Sequence, residues 1–180
     1  VHCPGCNIHF TDAQKLIYHS YQCSKVAGHG NTSRRHNAAC DAIKRQLNAN
    51  QLSAVREAPM SVPAKDGQKA MKGYMDVLTT THAIDVTITN DEKGRIASKK
   101  RTYEAMAAHH KVNLVVLCIS PAGTILPQSL RFARRLAKMA NMSFNEFWAP
   151  VITKVIRGTT RSVIETRNLI SGIAAQKSSL

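Results

Sequence analysis

The stretch GYMDVLTTTHAIDVTIT, residues 73–89, decides the fold. Residues 73–78 and 83–89 are two runs rich in apolar and β-branched side chains, and residues 79–82 are short enough to fold one back on the other as a hairpin. Each run carries one acid, Asp76 and Asp85, set among apolar neighbours. A carboxylate in a strand otherwise built for burial is costly unless something compensates it. Across a tight turn the two acids can face each other on adjacent strands, and converging carboxylates suit a divalent cation. Mg²⁺ or Mn²⁺ held there would orient water and stabilise the charge that builds up on a phosphate. Salt bridges to Arg or Lys are the alternative compensation.

Outward from the hairpin, the flanking segments complete an α-β-β-β-α-β series. Residues 31–48 carry Ala39, Ile43 and Leu47 at helical spacing, after Asn31, Thr32 and Ser33 as caps. Residues 52–60 read as a first strand limited by Pro59, and 61–70 as a loop. Residues 95–110 are strong helix formers, with Ile96, Met106 and an alanine row as the apolar face. VNLVVLCI, residues 112–119, is nearly all apolar and suits a strand covered on both faces. Helices are expected over 126–142, 144–157 and 161–175. On the helix after the hairpin, Lys100 and Tyr103 are i, i+3 neighbours. A lysine near the acids can position or deprotonate water, and Tyr103 can hydrogen-bond in the same cluster. An exposed basic patch is the other reading of Lys99-Lys100-Arg101.

The first residues point to a metal of another kind. In CPGCNIHFTDAQKLIYHSYQC, residues 3–23, the spacing of Cys3, Cys6, His19 and Cys23 is C-x2-C-x12-H-x3-C. Two thiolates on a turn, and a His and Cys four apart on a helix, complete a tetrahedron around zinc. Phe10 and Leu16 fit the small core of a ββα finger, and His9 is a competing ligand on a strand. If the finger docks in a groove, Asp12, Gln14, Lys15 and Tyr18 face it. Residues 24–33 read as a linker. Five cysteines, three of them in the finger, argue for metal in a reducing compartment rather than a disulfide framework.

Charge narrows the partner. The 180 residues carry 25 Lys+Arg against 11 Asp+Glu, a net +14, which favours a polyanion such as DNA, with RNA as a further candidate. Arg34, Arg35 and Lys99, and the row Arg131, Arg134, Arg135 and Lys138 outside an apolar face of Leu130, Ala133, Leu136, Ala137 and Ala140, are phosphate contacts in this reading. An apolar content of 43% excludes wholesale disorder. No stretch reaches the roughly 18 uninterrupted apolar residues of a helical membrane span, so no membrane partner is expected. The chain opens on Val1-His2-Cys3 and reads as a piece of a longer polypeptide. Cys40 reads as a helix residue and Cys118 as a core residue; His29, His109 and His110 read as surface residues.

The order of motifs resembles a family. A C-C-H-C finger is followed by Arg35-His36-Asn37 near a helix start, a hairpin with one Asp on each strand, and a helix with Lys-x-x-Tyr. This is similar to the restriction-enzyme-like endonuclease domain of site-specific non-LTR retrotransposon proteins, within the PD-(D/E)xK nuclease superfamily. The resemblance covers roughly residues 1–120. It departs at Met75, where the family usually has Pro, and at Thr87, where the superfamily's strand lysine would stand. The chain is thus expected to divide into a finger over 1–27, a restriction-endonuclease-like α/β core over 28–125 and a basic helical extension over 126–180. The resemblance implies that Asp76 and Asp85 hold Mg²⁺, that Lys100 is a catalytic lysine moved onto the helix with Tyr103 as its companion, and that Glu57 is a further acid near the metal. The expected activity is a nuclear, Mg²⁺-dependent DNA endonuclease that nicks target DNA to prime a reverse transcriptase in the same polypeptide. A degenerate, non-cleaving scaffold that binds nucleic acid is the alternative.

Overall fold

The computed structural model describes residues 2–3, 6–12, 15–16, 19, 23, 28–64 and 69–177. The architecture is α/β. In chain order the elements are α1 (Gly28–Ala49), β1 (Ala54–Val62), β2 (Met71–Thr79), β3 (His82–Ile88), α2 (Glu92–His109), β4 (Asn113–Ile119), α3 (Pro127–Met139) and α4 (Phe144–Lys177). The four strands form one mixed sheet in the order β1-β2-β3-β4. β2 runs antiparallel to both β1 and β3, and β4 lies parallel to β3. The α-β-β-β-α-β order is therefore the one the sequence predicts.

Both faces of the sheet are covered. Val77, Ile84, Val86, Leu117 and Ile119 pack with Ile43 and Leu47 of α1, Leu136 of α3, and Phe147 and Trp148 of α4. Met60, Met75 and Ala83 pack with Met106 of α2 on the other side. β4 contributes to both, as its near-continuous apolar run requires. Trp148 is fully buried and satisfies its indole N–H on the Ala133 carbonyl at 3.0 Å. The C-terminal helices thus belong to the main core.

Several boundaries differ from the sequence reading. β1 passes through Pro59, which a strand at the sheet edge tolerates because only one of its sides has a ladder partner. Helix α1 already runs from Gly28, inside the expected linker; residues 24–27 lie outside the described ones. Asp91 caps α2 by accepting the Gly94 N–H at 3.0 Å, so that helix starts before residue 95. The two last helices are one. Gly158 does not break α4, because it is where α4 crosses α1: a Cβ there would lie 2.8 Å from Cβ and Cγ of Arg35. Arg35 closes the crossing by donating from Nη1 to Thr159 Oγ1 at 3.0 Å.

The sheet is irregular at one place. β3 alternates regularly: Ala83 joins the α2 side, while Ile84 and Val86 join the other. In β2, Val77 packs on the α1 side, yet Met75, two residues earlier, packs on the α2 side. Opposite lies Glu57, with φ 50°, between the pairs Arg56↔Val77 and Ala58↔Met75. The β2–β3 ladder pairs only Val77↔Ile84 and Leu78↔Ala83. The strands part just beyond, at Asp76.

Candidate functional site

The finger ligands are together. Asn7, at φ 59°, turns the chain, with the Asn7 N–H donating to the Cys3 carbonyl and the Cys3 N–H to the Ile8 carbonyl. This brings Cys3 and Cys6 to Cys23 and to His19 in the helical segment. Cys3 Sγ and Cys23 Sγ are 3.7 Å apart, and Cys6 Sγ is 3.1 Å from His19 Nε2. A tetrahedron with Zn–S bonds of about 2.3 Å has an S···S edge of roughly 3.7–3.8 Å, so the thiol spacing fits zinc. Every cysteine is a free thiol. The four residues form a group able to hold zinc, over a small cluster with Phe10 and Leu16. His9 is exposed and stands against His2 instead. Asp12 and Lys15 are exposed; Gln14 and Tyr18 lie outside the described residues.

The acids sit where β2 and β3 part. Asp76 takes over from the missing ladder bonds: its Oδ2 accepts the Val86 N–H at 2.7 Å and His36 Nε2 at 3.0 Å. His36 also donates to the Val86 carbonyl at 2.9 Å, so one imidazole of α1 and one carboxylate of β2 bracket a single residue of β3. Asp85 is 2% exposed. It accepts Lys99 Nζ at 2.7 Å on Oδ1 and the Thr87 hydroxyl at 3.1 Å on Oδ2. Lys99 Nζ also stands 5.3 Å from the centre of the Tyr103 ring. Tyr103 lies close against β2 because residue 73 is glycine: a Cβ there would be 3.0 Å from its Cε1.

The lysine that reaches the acids is Lys99, and Lys100 is exposed. Successive helix residues point about 100° apart, so Lys99 and Tyr103, at i and i+4, share the face over the acids that i+3 spacing assigned to Lys100. Glu57 is not in this group. It is exposed, and it pairs with Arg56 at 2.9 Å.

Charges around the acids are coupled. For Asp76, burial raises the carboxyl, but the His36 hydrogen bond and charge, the Val86 N–H and Lys99 outweigh it and hold it below the ordinary carboxylate range. Burial alone would lower His36; its bonds to Asp76 and Cys40 and their charges instead push it up to about 11. Burial raises Asp85 more than Lys99 lowers it. Lys99 is raised, since the pull of Asp85 exceeds the cost of its own burial. The cost of burying Asp85 is thus offset only in part by Lys99 and Thr87, and Asp76 lies close enough to raise it further.

A cleft of about 410 Å³ opens beside the acids. It is lined by Ser33, His36 and Asn37 of α1, Val86 to Thr89 after the acid, and Arg95 and Lys99 of α2. Arg35 lines this cleft and a second groove of about 220 Å³, where Arg34 meets Lys154, Arg157 and Arg161 of α4. Sequence reading did not single out those three α4 cations. Arg131, Arg134, Arg135 and Lys138 are exposed, as expected, but line neither space. Arg135 instead lies near His82, whose imidazole is lowered by burial and then by that charge. His82 opens β3, at the end of the strand away from the cleft.

His36, Thr87 and Arg95 also escaped the sequence reading as site residues. His36 stood in the Arg35-His36-Asn37 run that helps carry the resemblance, but no role was assigned to it. Comparison with protein-family models gives no match, and none of the curated proteins matches the chain.

Proposed function

We propose that this chain is a divalent-metal-dependent DNA endonuclease with a restriction-endonuclease-like core, which nicks target DNA. The observation that carries the reading is the convergence of Asp76, Asp85 and Lys99 at the point where β2 and β3 part, beside an open basic cleft. Asp76 and Asp85 would hold the metal. When bound, Mg²⁺ or Mn²⁺ supplies charge stabilisation at the phosphate and a more acidic water. Lys99 is held by Asp85 and carries its proton at neutral pH, so it acts as a cation. It orients the attacking water and offsets phosphate charge rather than removing a proton. Thr87 and the Val86 N–H fix one oxygen each of Asp85 and Asp76. The groove of Arg34, Lys154 and Arg157 continues from the cleft through Arg35 and offers a path for the DNA backbone. The finger, loaded with zinc, adds a second grip. In this reading the nicked 3′-hydroxyl primes a reverse transcriptase elsewhere in the parent polypeptide, and the protein works in the nucleus.

A supercoiled-plasmid nicking assay tests the proposal. Protein carrying one zinc ion per chain is run with Mg²⁺, with Mn²⁺ and with neither, beside Asp76→Ala, Asp85→Ala, Lys99→Ala and Lys100→Ala. Metal-dependent nicking is expected in the parent and in Lys100→Ala. Both aspartate variants should be inactive, and loss of the Lys99 charge should slow nicking by about 10²–10³-fold. One observation favours a non-cleaving scaffold: His36 and Lys99 already pair with both acids. DNA binding without nicking in any metal would establish that second reading.

A further inference from the structure

The nuclease reading leaves one buried thiol of α1 without a role. Cys40 is fully buried and stands four residues after His36, so His36-x3-Cys40 repeats the spacing of His19-x3-Cys23 in the finger. Cys40 Sγ lies 3.6 Å from His36 Nε2, and Asp76 Oδ2 lies 3.0 Å from the same nitrogen. The three donor atoms are all within 4.8 Å of one another.

Imidazole, thiolate and carboxylate together form a set for a borderline-soft ion such as zinc, not for Mg²⁺, which prefers oxygen. Three protein ligands leave a fourth position for water, the pattern of zinc sites that are not closed. Zn²⁺ with a thiolate, a carboxylate and a neutral imidazole carries no net charge, which suits a largely buried place. His36 lines the open cleft, so an ion has a way in. The nearby cations are already engaged: Arg56 by Asp41 and Glu57, and Lys99 by Asp85. On entry, the ion displaces the Nε2 proton that Asp76 and the Val86 carbonyl share and the Cys40 thiol proton, and both protons leave to water.

We propose that His36, Cys40 and Asp76 form a second zinc site, and that zinc bound there withdraws Asp76 from the Mg²⁺ site and inhibits nicking. The site stands on its own geometry; the inhibition rests on the nuclease reading.

The test titrates the metal-free full chain with Zn²⁺ against a chromophoric chelator. Two zinc ions per chain are expected, and one in Cys40→Ser and in Cys40→Ala. A single zinc in the unaltered chain, or two retained in both variants, overturns the proposal. Because Cys40 is buried and its variants can misfold, cadmium NMR of the unaltered chain provides an independent measure. Two resonances are expected, one from the three-sulfur finger and one far upfield from a single-sulfur site; one resonance in excess cadmium overturns the site. Zn²⁺ is then titrated into the Mg²⁺-supported nicking reaction, with each variant referred to its own Mg²⁺-only rate. Suppression should occur in the parent and be lost in the Cys40 variants. Suppression that persists in both variants refutes inhibition through this site. A chain that binds two zinc ions but never nicks keeps the site and loses the nuclease.

Discussion

Replacing Lys99 by Met strips the cleft of the cation that holds Asp85. The Asp85 side chain is 3% exposed and would keep only the neutral Thr87 hydroxyl on its oxygens. Breaking a fully buried ion pair from one side costs about 3–5 kcal/mol. A fully exposed pair is worth under about 1 kcal/mol. The Lys99 side chain is 31% exposed, so water screens part of the loss and the cost should fall between, at about 1–3 kcal/mol. In a domain of this size that lowers Tm by roughly 2–12 °C. Lys100→Met, on the exposed side of the same turn, should stay within about 0.5 kcal/mol of the parent.

The second half of the cycle separates charge from packing. Asp85→Asn in the Lys99→Met background removes the uncompensated carboxylate, so the double variant should be more stable than Lys99→Met alone. Urea unfolding of the four species, with m held equal, measures this directly. The reasoning fails if Lys99→Met is as harmless as Lys100→Met, or if Asp85→Asn gives no recovery. Neither readout depends on nuclease activity.

Other consequences are equally concrete. The raised His36 imidazole adds stability that is fully present below its unfolded value near 6.5 and is lost as pH rises toward about 11; without added divalent metal, His36→Gln should flatten that part of the stability–pH curve. Gly158→Ala would ordinarily gain about 1 kcal/mol in a helix, but the 2.8 Å approach to Arg35 should turn this into a net loss of about 1–2 kcal/mol by urea unfolding. Arg157→Gln should weaken DNA binding at all sequences alike and reduce the salt slope by about 0.9 if it contacts one phosphate, whereas Arg134→Gln, remote from cleft and groove, should leave the slope unchanged. Removing zinc with a chelator should release the Cys3, Cys6 and Cys23 thiols to a thiol reagent while the far-ultraviolet signal of the α/β core persists, since the core's own clusters contain no finger residue.

What the sequence disclosed follows the range of its signals. Alternation in 83–89 and the apolar run of β4 are local, and they placed Asp85 on a strand inside a doubly covered sheet. Ligand spacing in the finger is local too, and the four donors came together. The lysine was not local. Lys99 and Lys100 differ by one helical step, and only the seating of α2 over the parting strands determines which one meets Asp85. The sequence reading ended one helix at 157 and began another at 161, whereas α4 runs on through Gly158. The reason a glycine stands there is Arg35, on a helix far away in the chain, and no window of sequence contains both. His36 is the same case at the site itself. It interacts with Asp76 and Val86 through a gap in the β2–β3 ladder, and that gap arises from the misfit at Glu57 and Asp76 rather than from any pattern in α1. Periodicity identifies the buried side of an element. It does not identify the neighbour there, and at this cleft the neighbour assigns each charge its part.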